Sequence, residues 1–231
     1  MKRIHTLLGV QSIVAILVSI NRLGSWTLGY VLPNEFLRWV DFNNMLILPL
    51  ISLVALYLLK KSIEYDSPAR EGSAHTVWNL VFIIGLYLTA ASYGNHEVTN
   101  YLHVRFCLDE PNNDLCRIII FNDDAFSHWI FFIGFVMVNT AIIFLQQIFP
   151  HRENISAPDI GLLAINAIFL SAGIFANLGF EEIGLDLVVV AVLAILSAYL
   201  LWRQGKQPMH IYYTIAYWLG LLGSGLAQSI R

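Results

Sequence analysis

Long apolar segments separated by short polar ones run through almost the whole chain. The apolar segments cover about residues 5–21, 43–60, 76–95, 126–149, 158–179, 185–203 and 209–229. Each is close to the roughly 17–25 residues that a helix needs to cross a bilayer. The pattern predicts an all-α, polytopic integral membrane protein, with one domain over residues 1–231 that contains seven transmembrane helices.

Composition supports this fold class. The chain is 57% hydrophobic and 13% charged, and its mean hydropathy is +0.65. A soluble domain usually carries about 25% charged residues. The sequence has no nucleotide-binding loop and no basic surface for nucleic acid, so we expect membrane lipids and a lipid-like small molecule as partners, with the oligomeric state left open.

The distribution of Lys and Arg between the short polar segments indicates an orientation. With the amino terminus inside, eight of these residues lie in the inner segments and five in the outer ones. Positive charge is enriched on the cytoplasmic side of membrane proteins. The bias therefore predicts a cytoplasmic amino terminus, in the plasma (inner) membrane.

Two cysteines flank the acidic segment between the third and fourth apolar segments. Cys107 and Cys116 both fall on the predicted outer side, where disulfides persist. A bond between them would close a short loop, whereas the alternative is a pair of free thiols. We predict the disulfide.

Polar residues recur at helical spacing within the apolar segments and approach the same predicted outer end. Residues three, four, seven or eleven apart share a helix face. On that basis three stripes are predicted to converge, namely Ser92, His96 and His103, then Asp124 and His128, and then Asn166, Asn177 and Glu181.

The converging residues have the chemistry of a metal centre. Imidazole and carboxylate are ligands for zinc, iron and manganese, and ionisable groups beside hydrocarbon are costly enough to indicate function. We predict a divalent metal, with zinc favoured, held by His96, His103, Asp124 and His128. Ser92 or Asn95 is a candidate oxyanion donor, and Glu182 or Glu181 is a candidate general base or further ligand. The alternative is that each residue only meets water and lipid headgroups at the interface.

The motif Ser92-x-x-x-His96 at one helix end, followed by Asp123 or Asp124 at the start of the next helix, resembles the CREST superfamily. That group contains alkaline ceramidases and progestin/adipoQ-type receptors. The resemblance implies a seven-helix, zinc-dependent hydrolase of a lipid amide. The chain departs from the family pattern in its last helix, where His210 is followed by Thr214 instead of a second histidine. The resemblance therefore implies that His103 and His128 replace the usual ligand pair.

Two other functions stay open at this stage. Histidines on adjacent helices can ligate haem or copper, which would make the chain a membrane redox protein. A transporter or receptor-like bundle without chemistry is the third possibility, although paired, broken helices typical of transporters are not evident. The sequence favours the metal-dependent hydrolase acting on a lipid-like substrate at the extracytoplasmic side.

Overall fold

The structure, a computed structural model, describes residues 1–65, 72–181 and 185–230, with the backbone alone for 180, 181 and 227–230. Within these residues the chain is almost entirely helical, and its only β pairing is an isolated bridge between Tyr30 and Arg38. The helices are α1 (Lys2–Leu23), α2 (Trp39–Tyr65), α3 (Ser73–Phe106), α4 (Asp114–Ile148), α5 (Ala157–Ala176), α6 (Asp186–Gln204) and α7 (Pro208–Ile230).

Six of these helices, α1 to α6, are long and apolar enough to cross a membrane. The predicted all-α class is confirmed, and the six apolar helices indicate an integral membrane protein. Two boundaries differ from the prediction. Helix α3 continues to Phe106 instead of ending near residue 95, and α4 begins at Asp114, where the side chain of Asn113 caps its first turn. The polar stretch between the third and fourth apolar segments is therefore mainly helix.

A disulfide joins the two helices across the short link that remains. Cys107 and Cys116 are bonded, with their Cα atoms 5.3 Å apart, so the predicted bridge is confirmed. Both cysteines are buried. The bond fixes the end of α3 against the start of α4, next to the polar residues of interest.

Successive helices run in opposite directions, so the bundle has two ends. The end that holds Leu23, Phe106 and Asp114 is called here the disulfide end. The opposite end, called the amino-terminal end, brings together the starts of α1 and α5, where His5 contacts Asp159 at 2.8 Å. The same alternation places Gln146, near the end of α4, beside Gln207, which precedes α7.

Helices α3 and α4 cross at very short range. A Cβ added to Gly85 would lie 2.9 Å from the backbone nitrogen of Val138, and one added to Gly134 would lie 2.8 Å from that of Thr89. Small residues at such a crossing let two helix backbones approach closely inside a membrane. This contact aligns the two helices that carry the predicted site.

Three short π-helical segments interrupt the α-helices, and all lie toward the disulfide end. They are Asn43–Ile47 in α2, Phe121–Phe126 in α4, and Asn177–Glu181, which follows α5. A π-helical turn holds one more residue than an α-helical turn, and such turns are frequent at functional sites. Each therefore changes which side chains face the bundle interior.

Candidate metal centre

The polar residues predicted on α3 do form one face. Because the helix continues past residue 95, His96 and His103 stay in helical register, two turns apart. Both imidazoles point toward α4 and are about three-quarters buried. The expectation that the α3 stripe extends to His103 is thus confirmed.

Asp123 lies between these two histidines and is the centre of the cluster. Its Oδ1 is 2.9 Å from Nδ1 of His96, and its Oδ2 is 2.9 Å from Nδ1 of His103. The Nδ2 atom of Asn100 donates to the same Oδ2 at 3.4 Å. The side chain of Asp123 is 1% exposed, so a buried carboxylate is shared by two imidazoles.

The sequence hypothesis had chosen the neighbouring carboxylate. Asp124 was predicted to share a face with His128 because they are four residues apart, but the backbone over Phe121–Phe126 is π-helical, so the α-helical spacing does not apply there. Asp124 is 61% exposed, and its Oδ1 lies 4.0 Å from Nδ1 of His103. Asp123 is therefore the buried carboxylate of the cluster, and Asp124 lies beside it as a further possible ligand.

His128 lies on the other side of His96. The two rings meet edge to face, with centroids 5.0 Å apart. The two histidines are therefore neighbours, because α3 and α4 pack against each other at this point. His128 does not, however, belong to the group of described residues whose possible ligand atoms all lie within 4.8 Å of one another.

Three residues of the cluster have ligand atoms close enough to share one ion. In His103, Asp123 and Asp124 these atoms all lie within 4.8 Å of one another. Zinc bonds of about 2.0–2.2 Å in a tetrahedral site place neighbouring ligand atoms roughly 3.4 Å apart. The separations of 2.9 Å and 4.0 Å from Nδ1 of His103 lie on either side of that value. The residues present therefore fit a small divalent ion.

The side chains predicted to assist catalysis have other partners in the structure. The Ser92 hydroxyl donates to the carbonyl of Ser127 at 2.7 Å and is 3% exposed. Asn95, the alternative oxyanion donor, donates to the carbonyl of Asn122 at 2.8 Å. Both hydrogen bonds join α3 to α4, so the two side chains have a structural role. Glu182 lies outside the described residues.

A second charged cluster, not predicted from the sequence, lies beside the first. Glu97, the residue after His96, is 2% exposed and ion-pairs with Arg22 at the end of α1. Asp41 is equally buried and accepts two hydrogen bonds of 2.7 Å from Arg38. The carboxylate of Asp41 raises the pKa of Arg38 through these bonds. The signal for this cluster was the presence of Arg22 and Glu97 at the polar ends of two apolar segments.

The buried acids differ in their partners. Glu97 and Asp41 each contact an arginine, whose charge is permanent. The ion pairs of Asp123 within the described residues are with histidines only. A neutral imidazole donates a hydrogen bond but does not balance a buried negative charge, whose desolvation costs several kcal/mol. The charge of Asp123 is balanced when an imidazole is protonated or when a cation binds.

Comparisons with protein-family models, with curated proteins and with solved structures found no match. The fold and the cluster by themselves define a class. The chain is an all-helical protein with at least six helices long and apolar enough to cross a membrane, and it has a buried histidine–carboxylate cluster where two of them meet.

Proposed function

We propose that the chain is an integral-membrane, metal-dependent hydrolase that acts on a lipid-like substrate at the extracytoplasmic side. One observation carries the proposal. The carboxylate of Asp123 is buried at the end of an apolar bundle, between two histidines and without an arginine or lysine among its described ion-pair partners. An ionisable group in such a place is costly and is typical of a functional site.

The proposed topology has seven membrane spans and a cytoplasmic amino terminus. Helix α7 is 23 residues long and mainly apolar, which is enough for a seventh span. By the sequence, eight of the Lys and Arg residues fall in the predicted inner segments and five in the outer ones, and positive charge is enriched on the cytoplasmic side. The disulfide end then faces the oxidising side of the plasma (inner) membrane, which agrees with its Cys107–Cys116 bond.

The proposed metal ligands are His103, Asp123 and Asp124, with His96 on the second oxygen of Asp123. A bound zinc ion supplies a nucleophile by lowering the pKa of a coordinated water to about 7. Asp123 would coordinate the ion through Oδ2, while its Oδ1 orients the neighbouring imidazole of His96. Because Asp124 is 61% exposed, the cluster is open to solvent on that side, where substrate and water can enter.

A lipid-like substrate is proposed because of the surface around the cluster. Three large aromatic side chains on α4, those of Phe121, Phe126 and Trp129, are 40–49% exposed next to Asp123. Tryptophan is enriched at the membrane–water interface, and the two exposed phenylalanines extend the apolar surface beside Trp129. A molecule that reaches Asp124 along this surface can keep its hydrocarbon in the membrane and present its polar group to the cluster. This is also the substrate class that the resemblance to the CREST superfamily implies.

The test is hydrolysis of long-chain acyl amides and acyl esters by the purified protein in detergent, measured as fatty acid released. The proposal expects release that is lost with a strong chelator and restored by zinc. Asp123→Asn should lower the rate at least a hundredfold. The matched control is Asp159→Asn, because Asp159 also contacts a histidine, His5, but at the amino-terminal end. Equal loss in both variants, or chelator-resistant release, would contradict the proposal, and a haem absorption band would favour a redox protein.

A further inference from the structure

A large cavity lies inside the bundle, apart from the histidine–carboxylate cluster. Its volume is about 590 Å³, and all seven helices contribute to its wall. Ligand pockets usually measure about 300–1,000 Å³. On α1 the lining runs from Leu8 to Ile20, which is about 18 Å at 1.5 Å per residue. This length is close to one leaflet of a bilayer whose hydrocarbon core is about 30 Å thick.

Exposed lining residues on α1 and α5 indicate that the cavity opens at the side of the bundle, between these two helices. Near the amino-terminal end these helices are joined by the His5–Asp159 contact and by a hydrogen bond of 2.7 Å from Ser12 to Asn166. Beyond that point several lining residues on both helices are exposed, namely Ala15, Ile16, Ser19, Ile20, Ala172 and Gly173. A molecule dissolved in the membrane can therefore enter from the side.

The cavity wall is uncharged. Its described lining residues include no Asp, Glu, Lys, Arg or His, and seven of them are Phe or Tyr. An ionised ligand would lose its hydration there without gaining a counter-charge, which is costly. The occupant must therefore be neutral and largely apolar.

One buried polar group in the wall indicates which functional group the occupant carries. Asn139 is 5% exposed, and its Oδ1 accepts a hydrogen bond of 2.8 Å from the hydroxyl of Tyr213. Its amide nitrogen Nδ2 is buried and makes no hydrogen bond among the described residues, and the hydroxyl of Tyr217, which interacts with the Asn139 side chain, likewise has no hydrogen-bond partner there. A buried donor without an acceptor costs about 1–3 kcal/mol. An occupant with a carbonyl oxygen at this depth would provide the acceptor.

We propose that this cavity binds a neutral carbonyl compound with a hydrocarbon tail, and that its carbonyl oxygen accepts a hydrogen bond from Nδ2 of Asn139. A prenyl quinone and an acyl ester are two sources of this chemistry. The carbonyl-binding position is distinct from the proposed metal centre, because Asn139 and Asp124 are fifteen residues apart on α4, or roughly 22 Å at 1.5 Å per residue. The inference does not rest on the hydrolase proposal.

Ligand binding to the purified full-length protein in detergent tests this inference. The probes are decylubiquinone for the quinone, monoolein for the ester, and palmitate at pH 8 as an ionised compound of similar length. Dissociation constants come from the ligand-dependent rise in thermal stability. We expect decylubiquinone or monoolein to bind at least tenfold more tightly than palmitate, and the tighter of the two identifies the source.

Two pairs of variants locate the binding. Gly173→Leu fills the cavity, and Gly161→Leu is its control on the same helix, since a Cβ at either position meets no atom within 4 Å. We expect at least tenfold weaker binding for Gly173→Leu and no change for Gly161→Leu. Ala172→Leu serves as a second filling variant if Gly173→Leu does not fold.

The second pair tests the hydrogen bond. Tyr213→Phe keeps the amide of Asn139, whereas the double variant Asn139→Leu, Tyr213→Phe replaces both partners by apolar groups. Such paired replacement can be nearly neutral for stability. We expect binding at least tenfold weaker in the double variant than in Tyr213→Phe. The inference is wrong if palmitate binds as tightly as both carbonyl compounds, if neither of these binds, if filling the cavity changes nothing, or if the double variant equals the single one.

Discussion

At the scale of single residues, three of the four buried acids in the described parts of the chain form ion pairs, but with different kinds of partner. Arginines accompany Glu97 and Asp41, whereas Asp123 has two histidines. A histidine–carboxylate pair alone is not a sign of function, since His5 and Asp159 form one at the opposite end. Asp123 differs because it is buried, contacts two imidazoles and has a second carboxylate nearby. This combination of ligand groups fits a cation, which the single pair of His5 and Asp159 does not offer.

The Arg22–Glu97 pair should be important for stability. Arg22→Ala leaves the 2%-exposed carboxylate of Glu97 without its cation. Breaking a fully buried pair costs about 3–5 kcal/mol, and because Arg22 is one-third exposed we expect roughly 1–3 kcal/mol, measured as a lower thermal midpoint. The control is Arg117→Ala, since Arg117 and its partner Asp114 are both mainly exposed and such pairs contribute about 0–1 kcal/mol. Equal midpoints for the two variants would show that the buried pair adds nothing.

At the scale of helices, the sequence predicted which segments are helical and where they meet, but not their local geometry. The lengths of the apolar segments predicted the helices. The positions of the two cysteines predicted the Cys107–Cys116 bond, which is confirmed. Residue spacing named Asp124 as the ligand, whereas the structure adds Asp123, the buried carboxylate of the π-helical residues Phe121–Phe126. A single added residue per turn exchanges the inward and outward carboxylates, and nothing in residue spacing signals it.

The same limit applies to the ends of the apolar segments. Glu97 and the residues after it lie beyond the apolar segment 76–95 because their polarity lowers hydropathy, although they continue α3 to Phe106. The pairing of Glu97 with Arg22 depends on how α1 and α3 pack, and a helical pattern within one segment does not contain that information. Ser92 and Asn95 illustrate the opposite case, since the helical pattern placed them near the site but tertiary hydrogen bonds occupy them.

The crossing of α3 and α4 should be sensitive to a single methyl group. Gly134→Ala places a Cβ 2.8 Å from the backbone nitrogen of Thr89 and 2.9 Å from the carbonyl oxygen of Gly85. Overpacking of this kind costs about 1–3 kcal/mol, which corresponds to a thermal midpoint lower by at least about 2 °C in a chain of this size. Gly161→Ala is the control, because its Cβ would meet open space. A Gly134→Ala midpoint equal to that of the control would mean that the helices do not cross so closely.

At the scale of the whole molecule, apolar helices form the body of the protein and its polar chemistry lies at two ends. The disulfide end holds the disulfide, three π-helical segments and the proposed metal centre. The amino-terminal end holds pairs such as His75 with Glu64, 2.8 Å apart. In the proposed topology, the disulfide end and its proposed metal centre lie at the outer face of the membrane.

Cysteine labelling in intact cells measures this orientation. We expect Asn34→Cys, in the segment between α1 and α2, to react with a membrane-impermeant reagent from outside. Glu153→Cys, between α4 and α5, should react only after permeabilisation. Both positions are exposed, and the two native cysteines are bonded to each other, so each variant has one free thiol. The opposite labelling pattern would invert the topology and place the cluster in the cytoplasm.

The most direct test of the central claim is the metal content of the purified protein, measured by mass spectrometry of the elements. The account predicts about one zinc or similar divalent ion per chain after purification without added metal. It also predicts loss of most of that ion in Asp123→Asn, which keeps the shape of the side chain but removes its charge, and full retention in Asp159→Asn. If the wild-type protein binds no divalent ion when equilibrated with zinc, or if Asp123→Asn retains as much as the wild type, the metal centre does not exist as described.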